Sequence, residues 1–343
     1  MKYHFASDNT AGITPEAWAA LAAANEGYAP GYGEDAWTAK ASDLIRELFE
    51  MDCEVFFTFN GTAANSLALA TLCRSYHSVI CHELAHVETD ECGAPGFFTN
   101  GAKVSPVRGT HGRVNLEEVE RLVTRRRDLH SPKPRVLSIT QATESGTVYS
   151  LEDLESIGAT ARRLGLSLHM DGARFANAVV SLGRSPADLS WRQGMDVMSL
   201  GGTKQGMPVG DVVVFFNREL AHEFAYRCKQ AGQLASKMRF LAASWVGMLQ
   251  DGAWQRHARH ANACARRLAD ELHQFPGIEL LAPVQANGVF VKFPEHLDTQ
   301  LRKAGWHYYP FIAEGGVRLM CSWSTTDADI DALLEDIRKA LAG

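Results

Sequence analysis

Two short segments of this 343-residue chain place a charged residue where an apolar run stops, Asp171 in SLHMDGAR (167–174) and Lys204 in MSLGGTKQG (198–206). A carboxylate at the end of one buried strand and an amine at the end of another are the two groups that pyridoxal phosphate requires of its host. The amine condenses with the cofactor aldehyde, and the carboxylate keeps the pyridine nitrogen protonated so that the ring accepts electrons. A third segment, TFNGTAANSLAL, reads as strand, glycine turn and helix. Gly61 there lets backbone approach a ligand, and Thr62 with the free N–H groups of the helix start offers a phosphate site. Taken singly, each has an ordinary reading: residues 171–174 as a turn with a structural Asp–Arg pair, Lys204 as a surface residue in a glycine-rich loop, the glycine turn as one of many in α/β proteins. Around Lys204, however, Gly201, Gly202, Thr203 and Gly206 form a cup of small residues expected to leave room for a ring, and such a concentration of glycine costs chain entropy.

The elements that must carry these groups follow an alternating pattern. Strand-like runs recur at EVFFTF, SVICH, RVLSIT, LSLHMD, DVMSL and DVVVFF, with helical patterns between the earlier ones. That predicts an α/β fold with a mostly parallel central sheet built from right-handed crossovers. Thr14-Pro15 opens a helix with a capping hydroxyl and proline at its first position. GYAPGYGED interrupts it, and a second helix is expected from about Asp35 to Glu50. Beyond Arg239 two long amphipathic stretches run through Gln250 and from Ala253 to Phe275, followed by GVFVKF, GVRLMCSW and a last helix from Thr326. The boundary is placed near residue 252, with a cofactor-binding large domain over 1–251, N-terminal arm included, and a small C-terminal α/β domain over 252–343.

Composition removes other classes. The chain is 46% hydrophobic, enough for a large core, and its net charge of −6 argues against nucleic acid. The basic cluster Arg121 to Arg127, with Arg135, ends a helical pattern beginning near Asn115, where positive charge suits the helix dipole, so a solvated face is expected. No apolar stretch approaches membrane-spanning length, and MKYHFASDNT lacks the apolar core of a secretory signal, which favours a cytoplasmic location without membrane partners. Seven scattered cysteines without a C-x-x-C pair read as reduced thiols and give no metal knuckle. His82-Glu83-Leu84-Ala85-His86 does match the H-E-x-x-H zinc-hydrolase pattern. Two histidines four apart share a zinc only on a helix, and His82 follows a β-like run, so a zinc hydrolase is kept as a remote alternative and no metal is assigned. His257 and His260, in an Arg- and Ala-rich helical stretch, are expected to be exposed.

The order SDN, GYGED, NGTAAN, ELAHVETDECG, QATESGTVYS, LHMDGAR, GGTKQGMPVGD and VRLM resembles, over nearly the whole chain, the low-specificity threonine aldolases of the aspartate-aminotransferase (type I) pyridoxal phosphate fold. The resemblance implies Lys204 as the cofactor-linked lysine, Asp171 as the pyridinium partner, and Gly61 and Thr62 as phosphate ligands, with Arg174 also near the cofactor. It implies that Ser7, Arg174 and Arg318 bind the substrate carboxylate and that His86 stacks on the ring facing the β-hydroxyl. Tyr32 would reach the site from a neighbouring subunit, so a homo-oligomer is implied, a dimer or commonly a tetramer. The chain departs from the commoner pattern twice. Where many relatives carry a histidine near the substrate hydroxyl stands Thr143-Glu144-Ser145-Gly146, which makes Glu144 a candidate base or water holder. Where a second arginine is expected near the phosphate stands Ser236, with Lys237 adjacent as the candidate replacement. The implied reaction is reversible cleavage of the Cα–Cβ bond of L-threonine, L-allo-threonine or related L-3-hydroxy amino acids such as phenylserine to glycine and an aldehyde. β-Elimination, transamination and a scaffold of the same fold without turnover are the alternatives.

Overall fold

The computed structural model describes residues 1–126, 128–311 and 315–342. Its strands are β1 (Glu54–Thr58), β2 (His77–His82), β3 (Lys103–Val107), β4 (Gly109–Thr110), β5 (Arg113–Val114), β6 (Lys133–Thr140), β7 (Ser167–Gly172), β8 (Val197–Leu200), β9 (Asp211–Phe215), β10 (Glu279–Leu280), β11 (Gly288–Lys292), β12 (Tyr309–Phe311) and β13 (Gly316–Met320). Seven of them form the main sheet in the order β1-β9-β8-β7-β6-β2-β3. β9 is antiparallel to both its neighbours, and the other pairings are parallel. The strands of this sheet's centre are buried along almost their whole length, which is why they read as continuous apolar runs and not as alternating ones.

A second, antiparallel sheet in the order β10-β11-β13-β12 forms the C-terminal lobe. Helix Ala253–Leu272 serves both lobes. Its first turns, with Trp254 and Ala258, belong to the main core, and its later ones, with Leu268 and Leu272, to the C-terminal core. The N-terminal arm lies along the C-terminal lobe: Phe5 is part of that core, Met320 donates its N–H to the Phe5 carbonyl at 2.9 Å, and Lys2 pairs with Asp336 at 2.7 Å.

Local signals act where the sequence places them. Thr14 caps helix Pro15–Ala24 and Asp35 caps Ala36–Phe49. Asn115 caps Leu116–Thr124, so Arg121 and Arg125 lie at its C-terminal end, while Arg127 lies outside the described residues. His82 is the last residue of β2 and His86 the first of a four-residue helix, so the two do not share a helix face. His260 is exposed, but the expectation fails for His257. Its Nε2 meets Glu16 Oε2, in the first turn of helix Pro15–Ala24, at 2.9 Å and its ring edge packs on Trp323. No described helix is long and apolar enough to cross a membrane.

Candidate active site

The chemistry gathers at the edge of the main sheet where the parallel strands end. In register there, Thr140 of β6 lies beside Asp171 of β7, and Asp171 beside Ser199 of β8. β9 runs the other way, so its first residue, Asp211, arrives at the same edge. A cavity of about 310 Å³ opens here, lined by Gly61, Thr62, His86, Glu144, Asp171 and Lys204 among others. This is the place where open α/β sheets take ligands. A larger, open recess of about 570 Å³ beside Arg108 and Arg121 holds none of these groups.

Lys204 stands on a single 3-10 turn, Thr203–Gln205, and among the described residues no group accepts from its amine. Burial, helped by the charge of Arg174, holds its pKa below the ordinary ammonium value. Asp211 fixes the turn: its Oδ1 accepts from the Gly202 N–H at 2.8 Å, the Thr203 N–H at 3.1 Å and the Thr203 hydroxyl at 3.3 Å. Sequence reasoning did not select Asp211. The surrounding glycines have a packing reason beside the one expected. A Cβ on Gly201 would stand 2.5 Å from the Ala173 carbonyl oxygen, and one on Gly202 would stand 2.5 Å from that of Gly210 and 2.8 Å from Trp245. Their smallness lets backbones pack tightly beside the lysine turn, and Gly201 also lines the cavity.

Asp171 is buried, with Oδ1 accepting from the Ala173 N–H at 2.9 Å and Oδ2 from Asn65 Nδ2 at 2.8 Å. Burial alone would raise its pKa, but the charges of His86 and Lys204 and these hydrogen bonds outweigh it and hold the carboxyl below its ordinary value. A negative charge is thus maintained in a low-dielectric site.

His86 lines the cavity and is anchored from behind by a residue the sequence did not single out. Its Nδ1 lies 2.9 Å from Oε1 of the buried Glu91, and Asn65 Nδ2 donates to the same oxygen at 2.8 Å. The hydrogen bond to Glu91 raises the pKa of His86. The donors of His86, Glu91 and Asp171 lie within 4.8 Å of one another, a spacing that could hold a cation, but the Asn65 amide already lies between the two carboxylates.

Glu144 accepts at Oε1 from the His86 N–H at 2.9 Å and the Thr140 hydroxyl at 2.7 Å, while Oε2 has no partner. Burial pushes its carboxyl up to about 7. At the helix start, Asn60 Oδ1 accepts from the Ala63 N–H at 2.9 Å, leaving the N–H groups of Gly61 and Thr62 at the start of helix Gly61–Leu72 with no acceptor among the described residues. That is the standard arrangement for an anion.

The residues chosen for a substrate carboxylate separate. Arg174 lines the cavity, but its Nε and Nη2 donate to Asp8 at 2.7 and 3.0 Å, so most of its fork is committed to a buried ion pair with the N-terminal arm. The structural Asp–Arg pair is real, with Asp8 as the partner instead of Asp171. Arg318 on β13 is not among the residues that line the cavity and has no carboxylate within ion-pairing distance among the described residues; its Nε is buried without a partner there, and its guanidinium lies 5.5 Å from the Tyr309 ring centre. Burial and the nearby Arg174 lower its pKa. Ser7 does not line the cavity; its hydroxyl caps the next turn, accepting from the Asn9 N–H at 3.2 Å. Tyr32 and Lys237 also lie outside it. Tyr32 is half-exposed, with the Lys229 ammonium 4.8 Å from its ring centre, and its N–H donates to the Ser236 carbonyl at 3.3 Å, next to the exposed Lys237.

The site therefore fits pyridoxal phosphate: a half-buried amine with no acceptor among the described residues, an ionised buried carboxylate, and a helix start with unsatisfied N–H groups face one cavity. Comparison with known proteins agrees. The sequence matches the beta-eliminating lyase family over residues 4–296. It is 60% identical over 334 residues to the low specificity L-threonine aldolase of Pseudomonas aeruginosa, covering 97% of this chain and 96% of that protein. It is 58% identical over 338 residues to the protein of the same description from another Pseudomonas strain, covering 98% of each. The fold is similar to that of a Leishmania major threonine aldolase, with a TM-score of 0.90, 28% identity and 98% of both chains covered.

Proposed function

The chain belongs to the beta-eliminating lyase family, and within it to the low-specificity L-threonine aldolases; from that premise we propose that it cleaves the Cα–Cβ bond of L-threonine, L-allo-threonine and related L-3-hydroxy amino acids to glycine and an aldehyde. The observation that carries this reading is the convergence of Lys204, Asp171 and the unpartnered Oε2 of Glu144 on one cavity. When bound, pyridoxal phosphate supplies an aldehyde for an amine to condense with and a protonated ring that accepts the electron pair of the breaking bond.

The chain's own residues supply the rest. Lys204 would hold the cofactor, its lowered pKa keeping more of the amine unprotonated and nucleophilic. Asp171 would keep the ring nitrogen protonated, and the N–H groups of Gly61 and Thr62 would take the phosphate. Arg318, which has no carboxylate partner among the described residues, would be the main clamp for the substrate carboxylate, the remaining Nη1 of Arg174 assisting. A clamp of this kind sets which bond at Cα stands perpendicular to the ring. Glu144 Oε2 would accept the β-hydroxyl proton as the carbonyl of the departing aldehyde forms, with His86 beside it. In this reading the site is completed in a homo-oligomer, where the half-exposed Tyr32 and the exposed Lys237 of a second copy reach the cavity mouth. The chain would work in a reducing, cytoplasmic setting, in keeping with seven free cysteines, six of them buried.

Incubation of the loaded enzyme with threonine, allo-threonine and phenylserine tests the assignment. Glycine and the matching aldehyde are expected in equal amounts. Release of ammonia and a keto acid, or amino exchange with an added keto acid, would overturn it in favour of elimination or transamination.

A further inference from the structure

Glu91 does not line the cavity, yet it is among the most sheltered acids of the described residues. It is 3% exposed, follows the short helix His86–Thr89, and carries one oxygen, Oε2, that is buried with no hydrogen-bond partner. Its other oxygen is held at 2.9 Å by His86 Nδ1 and at 2.8 Å by Asn65 Nδ2, and the same Asn65 nitrogen donates to Asp171 Oδ2 at 2.8 Å. Isolated, a buried carboxylate in this position is a net cost, and the histidine and the amide are what offset it. The chain His86, Glu91, Asn65, Asp171 therefore links the imidazole at the cavity wall to the carboxylate at the sheet edge.

We propose that Glu91 is a positioning residue that keeps the proton on Nδ1 of His86, so that Nε2 is the nitrogen presented to the substrate oxygen. Which ring nitrogen of a histidine carries the proton is set by the hydrogen bond that the other makes. A carboxylate on Nδ1 fixes that tautomer, fixes the ring plane, and stabilises the imidazolium whenever Nε2 takes a proton. Nε2 makes no bond to any described residue. The other groups bearing on His86 are Asp171, which favours its charge, Lys204, which opposes it, and Glu144, which accepts from its backbone N–H. Of these only Glu91 bonds the ring itself. The inference rests on the aldolase reading for the identity of the oxygen, but its geometry does not.

The test reads His86 directly in the cofactor-free protein. Diethyl pyrocarbonate modifies unprotonated imidazole, and mapping the peptide that contains His86 gives the modification rate against pH. In wild type the midpoint is expected above that of an ordinary histidine, and in Glu91→Gln it is expected to fall by about one pH unit or more. Glu91→Asp should restore part of the difference. In the loaded enzyme Glu91→Gln should lower kcat by about ten- to a hundredfold with little change in KM, and the loss should vanish in a His86→Ala background. An unchanged His86 midpoint in Glu91→Gln, or a loss of the same size whether or not His86 is present, would overturn the proposal. Should the enzyme prove not to cleave threonine, the modification midpoint still decides the role of Glu91.

Discussion

Replacing Glu144 by glutamine should make the protein slower and, above neutral pH, more stable. The carboxyl has Oε1 fixed by His86 N–H and Thr140, and Oε2 without a partner, and burial moves it from an ordinary 4.5 up to about 7. At about 1.4 kcal/mol per pH unit, holding the charge costs roughly 3 kcal/mol, and water reaching it through the cavity mouth reduces this to about 1–2 kcal/mol. The sign follows from proton binding. Between 4.5 and about 7 the folded state binds this proton more tightly than the unfolded chain does, so the residue's contribution to stability declines as pH rises through that window and stays low above it. Glu144→Gln removes the decline. The cofactor-free variant should match wild type near pH 5 and melt about 1–4 °C higher at pH 8. If Glu144 takes the hydroxyl proton, it must be ionised to act, so wild-type kcat/KM should fall below about pH 7. The variant should lose that limb together with about 10²–10⁴ in rate. A Glu144→Gln enzyme that keeps both the limb and near-normal turnover, with no melting difference at pH 8, would refute the burial argument and the base assignment together.

Borohydride reduction of the loaded enzyme followed by peptide mapping should place the pyridoxyl group on Lys204; label on another lysine would remove it from its assigned role. Asp8→Ala leaves the buried Arg174 without its carboxylate and should destabilise the cofactor-free protein by about 3–5 kcal/mol in denaturant unfolding. A loss below about 1 kcal/mol would mean that the pair is solvated. Arg318→Gln should raise KM for threonine by roughly ten- to a hundredfold, the worth of a charge-assisted hydrogen bond, while cofactor affinity stays unchanged. Weaker cofactor binding with an unchanged KM would assign Arg318 to the phosphate instead.

What the sequence made readable follows from where each group lies relative to a local pattern. Asp171 and Lys204 stood out because both end apolar runs, and a charge in that position in a parallel sheet is at the edge where ligands bind. His82 could be taken off the zinc pattern because SVICH reads as a strand. Glu91 was unreadable because it stands in the charged run HVETDEC, which looks like surface. Its amide partner, Asn65, stands on a helix 26 residues away. Asp8 was hidden for a similar reason, since its partner Arg174 is 166 residues distant and nothing local in SDN announces an ion pair. The second sheet and the long helices were visible as patterns, but the helix Ala253–Leu272 divides its apolar face between two cores, which no single periodicity discloses.

Asp211 is the sharpest case, because its position depends on strand direction and on nothing in its own segment. DVVVFF reads as a buried strand either way. Run parallel to its neighbours, it would carry Asp211 to the far edge of the sheet, roughly 15 Å from the lysine turn at about 3.3 Å per residue over five residues. Run antiparallel, as it does, it brings Asp211 in register with Thr58 at the active edge, where one carboxylate oxygen gathers the N–H groups of Gly202 and Thr203 and the Thr203 hydroxyl. The short connection from Gly201 to Gly210 permits only this direction, since a parallel return needs a crossover of about a dozen residues or more. Loop length therefore decides which end of the strand meets the lysine, and a residue that could pass for an ordinary strand-start acid becomes the anchor of the turn that presents Lys204.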